Sequence, residues 1–331
     1  MLLRCVILAA ALGLLGAAVQ SEPAPTPFIL FSASTGGQVR SCRCPSMPWG
    51  GLAKRAWLIG QLRQAAGPGN VLLLDAGDLL PAAPDAGLTD CVLRLYALMR
   101  YDAVAVGDQE LSLGIEAWQA LDPAPPWLSA GYTSAAGPRR GATIAQPWRL
   151  FDVAGLRLGV IAVVGPEAYR FDAALPDALQ LTDPAGQVRR FIEGPGRQAD
   201  ALIVLSHQGA EPDRALAAEV DGIDLILGGH SQSLLHPPEP VNGTLIFQAG
   251  KNGENLGLLA LAPIPIVDAS AARAADPPDD PDPIGTWLAS LPSLDPFEPA
   301  VSTGRRWRVA SRLVPLDSRV DEAADAATIV A

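Results

Sequence analysis

The chain has 331 residues, 49% of them apolar, and a formal net charge of −11. Its basic residues are scattered along the chain, which excludes a nucleic-acid partner, because neutralising phosphates needs a basic face. Setting aside a leader, about 310 residues remain, enough for one large α/β domain with a core and appendages.

The first stretch does not belong to the fold. Arg4 gives a short positive region, and residues 5–19 are apolar but too short and too rich in Ala and Gly for a comfortable membrane span. Small residues follow at Ala17, Ala18 and Val19, where a signal peptidase could cut. Residues 1–20 are therefore expected to be a signal peptide, with an uncleaved anchor as the other reading. Cys5 lies too near the start for lipid attachment. No other segment is apolar for long enough to cross a bilayer, so the protein is expected to be exported, periplasmic or extracellular.

After a proline-rich stretch at 22–27, residues 28–31 read as a first buried strand. Residues 52–65 have helical periodicity, with Leu52, Trp57, Leu58 and Leu62 on one face. A strand at 71–74 is followed by a helix that Thr89 caps and that runs to about Met99. The next strand, 102–106, leads into Gly107-Asp108-Gln109-Glu110. This alternation predicts parallel βαβ units. Residues 148–153 and 156–164 form a hairpin around Ala154-Gly155. Helices at 185–192 and 212–220 each precede a strand ending in a histidine, and 244–248 and 256–261 read as two closing strands. Residues 266–300 hold a Pro/Asp-rich linker, followed by a strand at 306–316 and a short helix from Asp321, a C-terminal extension over 301–331. The domain itself spans 28–265.

Beyond Cys5 the cysteines are Cys42, Cys44 and Cys91. Cys42 and Cys44 are too close to bridge without strain, so a disulfide would use Cys91. Otherwise Cys91 is an apolar filler of its helix, and Cys42-Arg43-Cys44-Pro45 is a redox or metal-binding thiol pair or an inert loop.

Chemistry gathers at strand ends. The run Val71-Leu72-Leu73-Leu74 delivers Asp75-Ala76-Gly77-Asp78, and the strands at 201–204 and 223–227 deliver His207 and His230. Ligand-type side chains beside glycine or serine at several strand ends indicate a metal site on an α/β sheet. Duller roles exist for each residue. A histidine flanked by glycine can cap loop carbonyls, Asp78 can hold a turn, Asp108 and Gln109 can be turn residues, and Glu110 can cap a helix. His236, before Pro237-Pro238, reads as a surface residue.

Five blocks occur in order: Asp75-Ala76-Gly77-Asp78, Gly107-Asp108-Gln109-Glu110, Leu205-Ser206-His207, Gly228-Gly229-His230-Ser231-Gln232, and residues 244–257 with Gln248-Ala249-Gly250-Lys251. Together with Gly50-Gly51-Leu52-Ala53-Lys54-Arg55 they resemble the calcineurin-like metallophosphoesterases, in particular the bacterial 5′-nucleotidase branch. The resemblance implies an α/β fold, a four-layer α/β/β/α sandwich with two mixed sheets. It also implies a two-metal hydrolytic site in which a bridging hydroxide attacks a phosphoester.

Where the family has Asp-x-His-Gly, this chain has Ser34-Thr35-Gly36-Gly37. The family's last histidine falls on Gln232, and the histidine that assists phosphoryl transfer falls on Gln109. The residues after Ile266 are too few for the second domain in which a full 5′-nucleotidase stacks its base. By the resemblance, the first metal would use the positions of Ser34, Gly36, Asp78 and Gln232, of which only Asp78 binds well. The second would use Asp78, Asp108, His207 and His230, and all four can coordinate. One divalent cation, zinc, manganese or iron, is expected at the second position and none at the first. The expected function is that of an exported metallophosphoesterase-like protein with weak or altered hydrolase activity on a small phosphoester. The alternative is a non-catalytic member that binds a metal, a ligand or a partner, and a third reading is hydrolysis of a sulfur compound.

Overall fold

Phe28 and Leu30 pack into one apolar cluster while Ile29 and Phe31 pack into another, so a single strand seals two layers. The computed structural model that shows this describes residues 26–42, 48–135, 137–169, 178–263, 298–302 and 307–331. The expected leader, Cys44 and the linker as far as residue 297 lie outside the described residues.

The first half of the chain runs β1 (Phe28–Ser32), α1 (Leu52–Ala66), β2 (Val71–Asp75), α2 (Ala86–Met99), β3 (Ala103–Ala105), α3 (Asp108–Leu111), α4 (Ile115–Gln119), β4 (Trp127–Leu128) and β5 (Tyr132–Ser134). The middle holds β6 (Trp148–Val153), β7 (Leu156–Val164), α5 (Pro166–Tyr169), β8 (Leu179–Leu181), α6 (Pro184–Glu193), β9 (Ala201–His207) and α7 (Ala210–Glu219). The last part holds β10 (Leu225–Gly228), β11 (Leu234–Val241), β12 (Thr244–Ala249), β13 (Asn255–Pro263), β14 (Glu298–Ser302), β15 (Trp307–Pro315) and α8 (Ala324–Val330).

Two mixed sheets result. A seven-stranded sheet has the order β14-β15-β13-β1-β2-β3-β4, and a six-stranded sheet the order β11-β12-β10-β9-β7-β6. In the first, β1 to β4 are parallel and β13 runs antiparallel to β1. In the second, β7, β9, β10 and β12 are parallel, with β6 and β11 antiparallel at the edges. Between the sheets, Ile29, Phe31, Leu72 and Leu74 meet Leu158, Val160, Ile203, Leu205 and Phe247. The outer face of the larger sheet is covered by Leu52, Leu58 and Leu62 of α1 and Val92 and Tyr96 of α2. The outer face of the smaller one is covered by Val188 and Phe191 of α6 and Leu216 of α7. This is the four-layer α/β/β/α sandwich. Because both faces of each central strand are covered, the strands read as unbroken apolar runs without alternation. Cutting Ile29 or Leu205, both fully buried, back to alanine at this seam would cost about 2–5 kcal/mol.

Details depart from the sequence reading. Asp85, not Thr89, caps α2: its side chain accepts from Leu88 N over 2.9 Å, and Thr89 is buried inside the helix. The reason is backbone geometry, since the cap needs an extended residue and Asp85 sits at φ −140°, ψ 109°. The closing strands fall in different sheets, β12 beside β10 and β13 between β1 and β15. The C-terminal segment is woven into the fold, with β15 paired along β13 from Trp307 to Pro315 and α8 packed against α1 and α2. Cys91 keeps a free thiol, 3.6 Å from the carbonyl oxygen of Ile329, so it staples nothing. Among the described residues no helix is long and apolar enough to cross a membrane.

Candidate metal centre

Four parallel strands, β2 and β3 from one sheet and β9 and β10 from the other, end at the same edge of the sandwich. At or just past their C-terminal ends stand Asp78, Asp108, His207 and His230, whose ligand atoms all lie within 4.8 Å of one another. The sites expected from sequence are thus brought together across both sheets, at the place where α/β folds assemble their chemistry.

Each side chain is held from behind. Asp75, the last residue of β2, accepts from Gly77 N at 2.9 Å and thereby folds the turn that presents Asp78. Its carboxylate also accepts from Ser32 Oγ at 2.6 Å and Tyr96 OH at 2.9 Å. Arg55, fully buried on α1, donates to Thr35, Tyr96 and Tyr101 in the same cluster. Glu110 clamps the neighbouring turn: its carboxylate accepts from Gly107 N, Asp78 N, Leu79 N and Leu80 N at 2.7–3.2 Å. Burial, and after it the charge of Asp78, push the Glu110 carboxyl up to about 8, while the four N–H donors favour the anion.

Two glycines make this approach possible. A Cβ on Gly107 would stand 2.5 Å from Asp78 Oδ1, and one on Gly77, at φ +94°, would stand 2.8 Å from His207 Nδ1. Asp78 at φ +60° and His230 at φ +64° are themselves left-handed. Non-glycine residues in that region carry a conformational cost of about 1–3 kcal/mol and cluster at functional sites.

His207 is the centre of the arrangement. It is fully buried, its Nδ1 lies 2.7 Å from Ala76 O, and its Nε2 lies 3.2 Å from Asp78 Oδ1 and 3.1 Å from Asp108 Oδ1. A carbonyl oxygen can only accept, so Nδ1 carries a proton and Nε2 is the atom turned to the carboxylates. His230 Nδ1 approaches Asp108 Oδ1 at 3.3 Å. Burial opposes a charge on His207, but Asp78 and Asp108 hold it well above an ordinary imidazole. Burial likewise opposes ionisation of Asp108, yet hydrogen bonds from His207 and His230 hold its carboxyl well below the usual range. The carboxylates demand positive charge between them, and a proton or a divalent cation can supply it. Two carboxylates and two imidazoles suit zinc, manganese or iron.

A cleft of about 530 Å³ opens over this cluster, lined by Asp78, Asp108, Gln109, Ser112, His230 and Gln232 together with Ala82 and Pro84. Gln232 and Gln109 therefore stand at the site, while His236 lies half-buried on β11 beside Ser311, 3.4 Å away, and does not line the cleft. Sequence reading missed the buried Asp213, which accepts from Ser206, Gln208 and Gln248 behind the histidine loops. It also missed the cluster of Arg55, Asp75, Tyr96 and Tyr101. Signals were present in Asp75 and in Arg55 at the end of Gly50-Gly51-Leu52-Ala53-Lys54-Arg55, and for Asp213 only in its partners Ser206 and Gln248.

No family model matches the chain. Among curated proteins it is 27% identical over 255 residues to Protein UshA of Yersinia enterocolitica, covering 62% of this chain and 44% of that one. It is 27% identical over 214 residues to the 5′-nucleotidase of Rattus norvegicus, covering 60% and 35%. The chain thus spans less than half the length of these relatives. Among solved structures, a 5′-nucleotidase precursor from Thermus thermophilus superposes with a TM-score of 0.70 at 23% identity, over 92% of this chain and 57% of that one. The calcineurin-like phosphoesterase YfkN from Bacillus subtilis superposes with a TM-score of 0.67 at 18% identity, over 93% and 96%. The fold is the one these proteins share.

Proposed function

We propose that this chain, by fold and sequence a calcineurin-like phosphoesterase related to the 5′-nucleotidases, binds one divalent metal ion on Asp78, Asp108, His207 and His230 and hydrolyses small phosphoesters weakly or with altered preference. One observation carries the reading: His207 Nε2, freed by the Nδ1 contact to Ala76, sits nearly equidistant from two carboxylate oxygens. That is the outline of a cation site whose two negative charges balance one divalent ion.

A bound ion would polarise an ester oxygen and acidify a water. The chain's own contribution is orientation and charge. Asp78 and Asp108 fix the site's negative face, Ala76 fixes the His207 tautomer, and Glu110 holds both aspartate turns. Gln109, which lines the cleft, has no titratable proton to give a leaving group. Esters with good leaving groups are therefore favoured over nucleotides. The first metal position is taken to be lost, since Ser34, Gly36 and Gln232 offer no strong ligand.

Elemental analysis of protein reconstituted with Mn²⁺ or Zn²⁺, with assays on phosphomonoesters, diesters and nucleotides, tests this. One ion per chain and turnover abolished by His207→Ala and His230→Ala are expected. Absence of any bound ion at neutral pH sinks the reading. Metal binding without turnover favours the second reading, a non-catalytic protein that binds a metal, ligand or partner, for which Gln109 in the cleft is the motivating residue. Export is part of the proposal, resting on residues 1–20 as a signal peptide; cell fractionation that recovers the protein in the cytoplasm would contradict it.

A further inference from the structure

Gln109 grips both oxygens of one carboxylate. Its backbone N–H donates to Asp78 Oδ1 at 3.1 Å, and its side-chain Nε2 donates to Asp78 Oδ2, also at 3.1 Å. Asp78 Oδ1 is the oxygen that faces His207 Nε2; Oδ2 is the oxygen the amide takes. The other end of that amide, Oε1, is buried without a hydrogen-bond partner and lies 3.8 Å from where a Cβ of Gly36 would be. Ser34 Oγ, on the same loop as Gly36, is also buried and unpartnered. A buried acceptor left unpaired costs free energy, so this amide is not oriented by its oxygen. Its donation to Asp78 sets the orientation.

We infer that the Gln109 amide stands in for a second cation on Asp78, so that one side chain both occupies the place beside Gly36 and orients Asp78 toward the single ion. This rests on the one-ion reading above. An N–H donor gives Oδ2 the partial positive charge that a second cation would give it. Gln109 is on this argument a positioning residue. It acts on the ion through Asp78, as outer-shell partners of ligating carboxylates do.

The test uses the full chain loaded with Mn²⁺, read by elemental analysis, by Mn²⁺ paramagnetic resonance and by a binding isotherm. Gln109→Glu keeps the shape but puts an oxygen against Asp78 Oδ2, so a proton or a cation must fill the gap; with Mn²⁺ in excess and the pH raised to remove the proton, two ions per chain and a spin-coupled signal are expected. Gln109→Leu removes the donor at similar size, and Mn²⁺ affinity should fall by about tenfold or more with the melting temperature retained. Gln109→Glu that still binds a single ion, or Gln109→Leu that binds Mn²⁺ as tightly as the wild type, overturns the inference. A wild-type protein that binds no Mn²⁺ at all overturns the one-ion reading instead, so the two failures are distinguishable.

Discussion

His207 Nδ1 donates to the carbonyl oxygen of Ala76 over 2.7 Å, across 131 residues of sequence. The bond ties the end of β9 in one sheet to the turn after β2 in the other. It sets which ring nitrogen faces the carboxylates, and so it is the point where the seam between the sheets becomes chemistry.

Removing that imidazole should therefore do more than delete a ligand. In His207→Ala, Asp78 and Asp108 face each other with neither an imidazolium nor a ligated ion between them. Metal affinity should drop about a hundredfold, and the metal-free protein should lose about 3 kcal/mol, the typical cost of stripping one partner from a buried charged group. Calorimetric metal titration and urea unfolding read the two effects; a variant with wild-type affinity would refute the ligand assignment.

Gly107 should tolerate no side chain. Its φ of −89° suits any residue, so the obstacle is space: a Cβ meets Asp78 Oδ1 at 2.5 Å, Asp78 N at 2.9 Å and Glu110 Oε2 at 2.9 Å. Gly107→Ala should destabilise by about 1–3 kcal/mol and weaken metal binding together. Gly60, on α1 with open space around its Cβ position, is the control, its alanine variant binding metal as the wild type does.

Glu110→Gln tests the backbone clamp. The carboxylate takes four N–H donors on two oxygens, and an amide would turn its own N–H₂ toward at least one of them. Above about pH 8, where the raised Glu110 carboxyl is ionised, a loss of about 1.5–3 kcal/mol is expected from hydrogen bonds to a charged acceptor, measured by urea unfolding. A change below about 0.5 kcal/mol would show that the turn holds itself.

The pH dependence follows from Asp213. Burial, outweighing hydrogen bonds from Ser206, Gln208 and Gln248, pushes its carboxyl from 3.8 up to about 7. Because the folded value is the higher one, the folded state binds more protons than the unfolded state between those limits. Stability is then fully present below the unfolded value and lost as pH rises toward about 7. Burial shifts Asp75 the same way, to about 6. Melting temperatures of metal-free wild type and Asp213→Asn should diverge in the variant's favour as pH is raised across this window. Curves that run parallel would remove Asp213 as the cause.

The strand and helix order was legible from sequence because periodicity is local: residues 71–74 or 201–204 can be read without knowing their neighbours. Asp78, Asp108, His207 and His230 were legible too, since each sits beside glycine or serine just past such a run. The cap of α2 was misread because Asp85 and Thr89 are both good capping residues and only the backbone angles choose between them.

The chain alone therefore determined the long apolar strands and the main helices in their order, and which four side chains stand at strand ends, but not the short β4, β5 and β8 or the edge strand β11. Tertiary structure decided what those side chains do together. It split β12 and β13 between two sheets, buried Arg55 against Asp75, and brought Ala76 to the back of His207 and the Gln109 amide to the far oxygen of Asp78. The physical reason is range. Periodicity is set by neighbours a few residues apart, whereas a ligand's tautomer and a carboxylate's hydrogen bonds are set where two sheets pack, by atoms far apart in sequence that meet within about 3 Å.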